Sequence, residues 1–202
     1  MAEPTRWATE TPDEHSAQYV ATFRAYAAEG RDISGEARLL DALVPPGSRV
    51  LDAGCGTGRV GAELHRRGHE VVGVDADPVL VAAAREDHAG PAWHVADLTE
   101  LDLAAEGHTE PFHGAVVAGN VMVFVAPGTE GAVLERLAAH LVDDGPAVLG
   151  FATGRGYEPD HLADDAATAG FDVEHLFSTW DLRPWRDDAD FVVAVLRRRS
   201  RS

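Results

Sequence analysis

Three glycines at alternate positions separate an apolar run from a helical one. The stretch reads Val50-Leu51-Asp52-Ala53-Gly54-Cys55-Gly56-Thr57-Gly58-Arg59-Val60-Gly61-Ala62-Glu63-Leu64. Arg49-Val50-Leu51 predicts a short buried strand, and Val60 and Leu64 open a helix directly after the glycines. Glycine lets the backbone turn sharply and approach a ligand with no Cβ in the way. The free N–H groups of the helix start then face whatever lies on the loop. Strand, glycine loop and helix in succession predict a nucleotide-cofactor loop.

The charge beside the loop discriminates between cofactors. Gly56-x-Gly58-x-x-Gly61 satisfies the dinucleotide pattern, which keeps a nicotinamide-dependent oxidoreductase as a rival reading. The glycines begin earlier, however, at Gly54, with Asp52 two positions before it. A dinucleotide brings a pyrophosphate, which a carboxylate repels. S-adenosyl-L-methionine brings no phosphate and carries an ammonium and a sulfonium, which a carboxylate attracts. Asp52-x-Gly54-x-Gly56-x-Gly58 resembles motif I of the class I S-adenosylmethionine-dependent methyltransferases. The resemblance implies that Asp52, Gly54, Cys55, Gly56 and Gly58 hold the cofactor, which leaves as S-adenosyl-L-homocysteine.

Downstream, two further strands end in an acid. The strand read over His69 to Asp75 is nearly all apolar until its last residue, as in a parallel strand covered on both faces. Asp75 therefore sits at a strand's carboxyl end, where open α/β sheets bind ligands, 21 residues after Gly54. A carboxylate there can accept both hydroxyls of an adenosine ribose, while Asp77 is the better cap for the helix starting at Pro78. The resemblance places Ala76 and Asp77 along the adenine edge. It gives Asp97, at the end of the strand 92–98, a hydrogen bond from the adenine amino group, with the Leu98 N–H on a ring nitrogen. Asp97 could instead cap the next turn. After a fourth strand, 112–120, continued by 121–125, the family holds the methionine end of the cofactor on the backbone. Ala118, Gly119 and Asn120 occupy those positions, and Asn120 has two roles open, orienting a nucleophile or tying down the loop. The Asn/Asp-Pro-Pro-aromatic signature of amide and base nitrogen methylation is absent there.

Helical spacing recurs at 59–67, 78–86, 129–141 and 159–169, and two long strands, 171–180 and 190–197, form a hairpin. The resemblance, over residues 36–198, implies an α/β Rossmann-like three-layer sandwich. Its seven-stranded, mostly parallel sheet has order 3-2-1-4-5-7-6, with the last strand antiparallel. One domain over 1–202 is expected, with a helical cap at 1–35, a core at 36–198 and a basic tail at 199–202. Residues 1–12 read as loose and 13–29 as an amphipathic helix that packs on the sheet. The family also uses such helices to close the pocket, which makes Tyr19, Phe23 and Tyr26 candidates.

All 17 basic residues are arginine, and 34 acidic ones give a net charge of -17. Such a body repels a phosphate backbone, so a small-molecule substrate is expected and nucleic acid is not. The cluster Arg197 to Arg201 reads as a frayed terminus. No apolar run reaches the length of a membrane span, no signal-peptide pattern opens the chain, and Cys55 is the lone cysteine. These features predict a cytoplasmic protein, monomeric or homodimeric, with no membrane and no metal partner. Cys55 itself reads as small apolar packing.

Methyl transfer needs alignment and exclusion of water more than a fixed catalytic group. No catalytic residue is assigned. His15 and His161 are the histidines placed to reach the pocket; His69, His94 and His113 open strands at the far end, and His65, His88 and His140 lie on covering helices. Trp180, Arg183, Trp185 and Arg186 read as hairpin packing or as a lid. A protein that binds S-adenosylmethionine without catalysis is the second alternative.

Overall fold

Side-chain parity along the strands builds the molecule. A computed structural model describes residues 3–12 and 14–200. Its strands are β1 (Arg49–Ala53), β2 (Glu70–Asp75), β3 (Ala92–Val95), β4 (Gly114–Val117), β5 (Pro146–Ala152), β6 (Phe171–Phe177) and β7 (Phe191–Arg198). They form one sheet, β3-β2-β1-β4-β5-β7-β6, parallel from β3 to β5, with β7 antiparallel to both β5 and β6. The helices are α1 (Arg6–Glu10), α2 (His15–Ala28), α3 (Gly35–Leu43), α4 (Arg59–Arg66), α5 (Pro78–Asp87), α6 (Val121–Phe124), α7 (Glu130–His140) and α8 (Pro159–Ala169).

Leu51, Ala115, Val117 and Leu149 enter one buried layer with Leu134 and Leu137 of α7 and Leu162 of α8. Their neighbours Val50, Val116, Val148 and Val193 enter the opposite layer with Leu40 of α3 and Leu64 of α4. Successive residues of a strand point to opposite faces, so a sheet covered on both sides needs apolar residues at every position. The sheet order is the one that the family resemblance implies. Asp77 caps α5 by accepting from the backbone nitrogens of Val79 at 2.8 Å and Leu80 at 3.4 Å, with Pro78 as the first helical residue.

Several boundaries differ from the sequence reading. The segment expected to be loose contains α1, whose N-cap Thr5 accepts from the Ala8 nitrogen at 3.2 Å. The helix α2 lies against α5 rather than on the sheet, and only Val20 of it is buried. Residues 121–125, read as extending the fourth strand, turn instead into α6, because Gly119 and Asn120 both adopt positive φ. The strand β3 stops at Val95, where pairing with β2 ends. Arg197 to Arg199 are not a frayed tail. Arg197 pairs with Glu174 at 2.9 Å, Arg198 is buried against Asp143 at 2.6 Å, and Arg199 pairs with Asp172 at 2.9 Å. Asp13 of the expected first helix, together with Met1, Ala2, Arg201 and Ser202, lies outside the described residues.

Candidate functional site

The strands β1 to β4 deliver their carboxyl ends to one edge of the sheet, and the residues there enclose a cavity. Asp52, Gly54, Cys55, Gly56, Asp75, Ala76, Asp97, Leu98, Ala118 and Gly119 all line it. Of the expected cofactor residues, Gly58 and Asn120 are not among the lining residues.

The glycines of the loop serve different ends. A Cβ at Gly54, where φ is +78°, would lie 2.2 Å from Val121 Cγ2, so the loop and α6 close on each other only through a glycine. At Gly56 an added Cβ would meet nothing nearer than Tyr19 at 3.8 Å, and at Gly119 nothing nearer than Arg59 at 4.0 Å. At these two lining positions the backbone is bare toward the cavity, a cradle that fits an adenosyl cofactor. Gly58 and Gly61 answer to something else. A Cβ at either would fall within 3.0 Å of the Trp93 ring, and one at Gly73 would fall 2.3 Å from it. Two of the three glycines in the dinucleotide-like pattern are therefore explained by a buried tryptophan, which packs beneath the loop with Cys55, Val81 and Ala84.

Three carboxylates surround the cavity in distinct states. Asp52 is fully buried and its Oδ2 accepts from the Gly61 nitrogen at 2.8 Å. Burial pushes its pKa up to about 7, against the pull of the Gly61 hydrogen bond and of Arg59. Asp75 Oδ2 accepts from the Gly56 nitrogen at 2.8 Å and Oδ1 from the Asp77 nitrogen at 2.9 Å. Burial pushes this pKa up to about 6 in spite of those bonds. Asp97 Oδ1 accepts from the Thr99 nitrogen at 2.8 Å and the Thr99 hydroxyl at 2.6 Å, capping the short 3-10 turn Leu98–Glu100. Both roles left open for Asp97 are thus compatible, since Oδ2 has no hydrogen-bond partner among the described residues.

Of the roof, the sequence pointed to Tyr19 but not to Trp7 or Phe124, and it missed one cation. Trp7, Tyr19 and Phe124 line the cavity, with the Trp7 ring edge-on to Tyr19 at 5.6 Å and to Phe124 at 5.4 Å. Arg59, the first residue of α4, lines it too, held by both oxygens of Glu36 at 2.8 and 2.6 Å. An arginine directly after a glycine loop was the available signal. Trp7 left none, because a single tryptophan in a polar stretch has no periodicity.

Other candidates fall outside the cavity. Asn120 Oδ1 accepts from the Ala152 nitrogen at 2.7 Å and so ties the loop to β5. Phe23 packs on Tyr19 at 4.6 Å and Tyr26 carries the Arg31 guanidinium at 3.6 Å. His15 stacks edge-on against Trp7 at 4.7 Å, and His161 is exposed beside Tyr157. Trp180 packs over Gly150, and Trp185 rests on the core layer beside α7 and α8. Arg183 and Arg186 are exposed. Among the described residues, no cluster of three or more His, Cys, Asp or Glu side chains could hold a metal ion, and no helix is long and apolar enough to cross a membrane.

Known proteins share this architecture. A family model described as a methyltransferase domain matches residues 50–145. The ribosomal protein L11 methyltransferase of Symbiobacterium thermophilum is 40% identical over 92 residues, 45% of this chain and 30% of that protein. The magnesium-protoporphyrin O-methyltransferase of Rhodobacter capsulatus is 35% identical over 127 residues, 58% of this chain and 52% of its own length. The chain thus spans about a third to a half of these curated relatives. A TehB-like SAM-dependent methyltransferase from Corynebacterium glutamicum, solved as a crystal structure, is 39% identical, with a TM-score of 0.86. The likeness covers 93% of this chain and 100% of that one. With a relative of that identity matched end to end, and with the cavity on the bare loop that motif I predicts, the chain belongs to the class I S-adenosylmethionine-dependent methyltransferases.

Proposed function

We propose that the chain moves a methyl group from S-adenosyl-L-methionine to a small-molecule acceptor by direct displacement, with S-adenosyl-L-homocysteine as the other product. When bound, the cofactor supplies a methyl group activated by the sulfonium. The chain's own residues bind, orient and exclude water. In this reading Asp75 accepts the ribose hydroxyls with the lone pairs left by the Gly56 and Asp77 amides, and Asp97 Oδ2 accepts from the adenine amino group. Gly54, Gly56, Ala118 and Gly119 offer bare or small-residue backbone to the rest, and Asp52 lies opposite the cationic end.

The lining residues include no histidine, and burial raises the Cys55 thiol well above its usual range. The nucleophile is accordingly the acceptor's own, and the rate arises from alignment in a dry cavity.

The observation carrying the small-molecule reading is the roof. Trp7, Tyr19 and Phe124 roof a space whose charged walls are carboxylates and one ion-paired arginine, in a chain of net charge -17. A polynucleotide would meet like charge there. The names of the relatives range from a ribosomal protein methyltransferase to a protoporphyrin one, so the acceptor class rests on this geometry.

Calorimetric titration with S-adenosylmethionine, S-adenosylhomocysteine and NADH tests the cofactor. Binding of the first two alone supports the reading, and binding of NADH alone replaces it with the oxidoreductase. Tritiated methyl transfer into metabolite, ribosomal RNA and ribosomal protein fractions tests the acceptor. Label in the low-molecular-weight fraction supports it; label confined to RNA or protein overturns it.

A further inference from the structure

Among the described residues, two guanidinium groups make no hydrogen bond to the protein, those of Arg31 and Arg155. The other described arginines have partners. Arg59, the cation inside the cavity, is held by Glu36, Arg6 by Glu10 at 2.9 Å, Arg183 by Asp181 and Arg186 by Asp188. Arg85 and Arg136 donate to the carbonyls of Trp93 and Thr99. Each of the two uncommitted groups rests on an aromatic ring, Arg31 on Tyr26 at 3.6 Å and Arg155 on Phe124 at 5.3 Å. Of these two rings, Phe124 is the one that lines the cavity.

Arg155 is fixed through its backbone and left open at its side chain. It follows β5 in the turn Thr153-Gly154-Arg155-Gly156, where Gly154 and Gly156 both take positive φ. Its carbonyl accepts from Arg6 Nη1 at 3.0 Å, and the Thr153 hydroxyl donates to the Ala189 carbonyl at 2.8 Å. Carboxylates along this rim are engaged elsewhere. Glu158 accepts from the Gly154 nitrogen at 2.8 Å, Glu10 accepts from Arg6, and the charge of Glu130 acts on Arg6 too. A guanidinium laid on a ring keeps its in-plane N–H groups for a ligand, and that fork matches two oxygens of a carboxylate or phosphate. In a chain of net charge -17, an exposed arginine beside the cavity with no counter-ion is the exception.

We infer that Arg155 receives an oxyanion carried by the acceptor, outside the roof and past Phe124, while the acceptor's nucleophile lies within the cavity. The substrate class is a small organic acid or phosphate ester whose charged group stands away from the methylated atom by at least the width of the Phe124 ring. One such charge fits one unpaired cation, whereas the acidic body still repels a polyanion. Arg155 in this role sets specificity and takes no part in the chemistry. The inference rests on the small-molecule reading above, and its test separates the two.

The experiment divides a metabolite extract into anionic, neutral and cationic pools on ion-exchange resins. Each pool is offered to the full chain with tritiated S-adenosylmethionine. Label is expected in the anionic pool alone, and label in the neutral or cationic pool overturns the assignment. With the labelled anionic fraction as substrate, Arg155→Gln should raise KM by about tenfold to a hundredfold and leave kcat little changed. That is the scale of a charge-assisted hydrogen bond made equally in the ground and transition states. Arg155→Lys, which keeps the charge, should recover part of the loss. An unchanged KM in Arg155→Gln overturns the assignment. If no pool takes label, the small-molecule reading falls, and the subsite is judged on the free chain by titration with benzoate and its neutral counterpart benzamide. Wild type must prefer benzoate and Arg155→Gln must lose that preference. No preference, or one that survives the substitution, overturns the subsite.

Discussion

Asp52 Oδ2 accepts a hydrogen bond from the backbone nitrogen of Gly61 at 2.8 Å, so a fully buried carboxylate stitches β1 to α4. Its pKa of about 7 stands above the ordinary 3.8. Between those values the folded chain holds a proton that the unfolded chain has lost. Stability from this group therefore declines as pH rises from about 4 to about 7, by a few kcal/mol at most. Asp52→Asn keeps the size and an acceptor for Gly61 but cannot ionise. Urea unfolding from pH 5 to 8 should show a shallower decline for the variant than for wild type. Parallel curves would contradict the raised pKa.

Asp75 carries the corresponding prediction for binding. Only the ionised carboxylate can accept both ribose hydroxyls while it also holds the Gly56 and Asp77 amides. With its pKa at about 6, affinity for S-adenosylmethionine should rise from pH 5 to 7 and then level. Asp75→Asn should flatten that rise, and Asp75→Ala should weaken binding by roughly 1–3 kcal/mol. Calorimetry across pH checks both, and undiminished affinity in a folded Asp75→Ala chain would remove the ribose assignment.

Gly73 and Trp93 make a packing prediction independent of any ligand. An alanine Cβ at 73 would sit 2.3 Å from the ring in the interior of β2. Gly73→Ala should cost about 1–3 kcal/mol in denaturant unfolding, as overpacking does. In a Trp93→Leu background the same substitution should cost much less, because the obstacle is gone. Equal costs in the two backgrounds would show that the ring is not what excludes the methyl group.

His108 and His94 form a directed relay at the opposite end of the sheet. Arg49 Nη2 can only donate, and it lies 3.0 Å from His108 Nδ1, which must accept. His108 Nε2 then carries the proton toward His94 Nε2 at 2.9 Å, and His94 Nδ1 donates toward Glu106 at 3.3 Å. Burial, followed by the charges of His94 and Arg49, lowers the His108 pKa from 6.5. A depressed pKa means stability that is present above 6.5 and lost as pH falls through the folded value, the reverse of the Asp52 contribution. Imidazole proton shifts should place the His108 midpoint below 6.5. A midpoint at or above it would break the relay.

The parts of the molecule legible in the sequence were those governed by local pattern. Strands buried on both faces show as apolar runs, and an acid at the end of such a run falls at the ligand edge whatever the distant chain does. Asp52, Asp75 and Asp97 were found that way. Gly58 was assigned to the cofactor because a glycine's need for space carries no label of what fills it, and Trp93 lies 35 residues on. Trp7 was overlooked because its role comes from a bond to Asp77, 70 positions away, which no periodicity reports. Asn120 had two chemically equal uses, and only the nearness of the Ala152 nitrogen selected one.

The position of β7 between β5 and β6 imposes an order of assembly. Residues 171–177 are made before 191–198, yet they have no strand to join until the later segment arrives. During vectorial synthesis the free margin of β5 stays open over that interval, with the backbone groups that later pair with β7 available to other nascent chains. Binding of the later segment closes both gaps at once. The step that completes the sheet is therefore also the one that ends its vulnerability to aggregation, and it takes place at the far side of the molecule from the glycine loop.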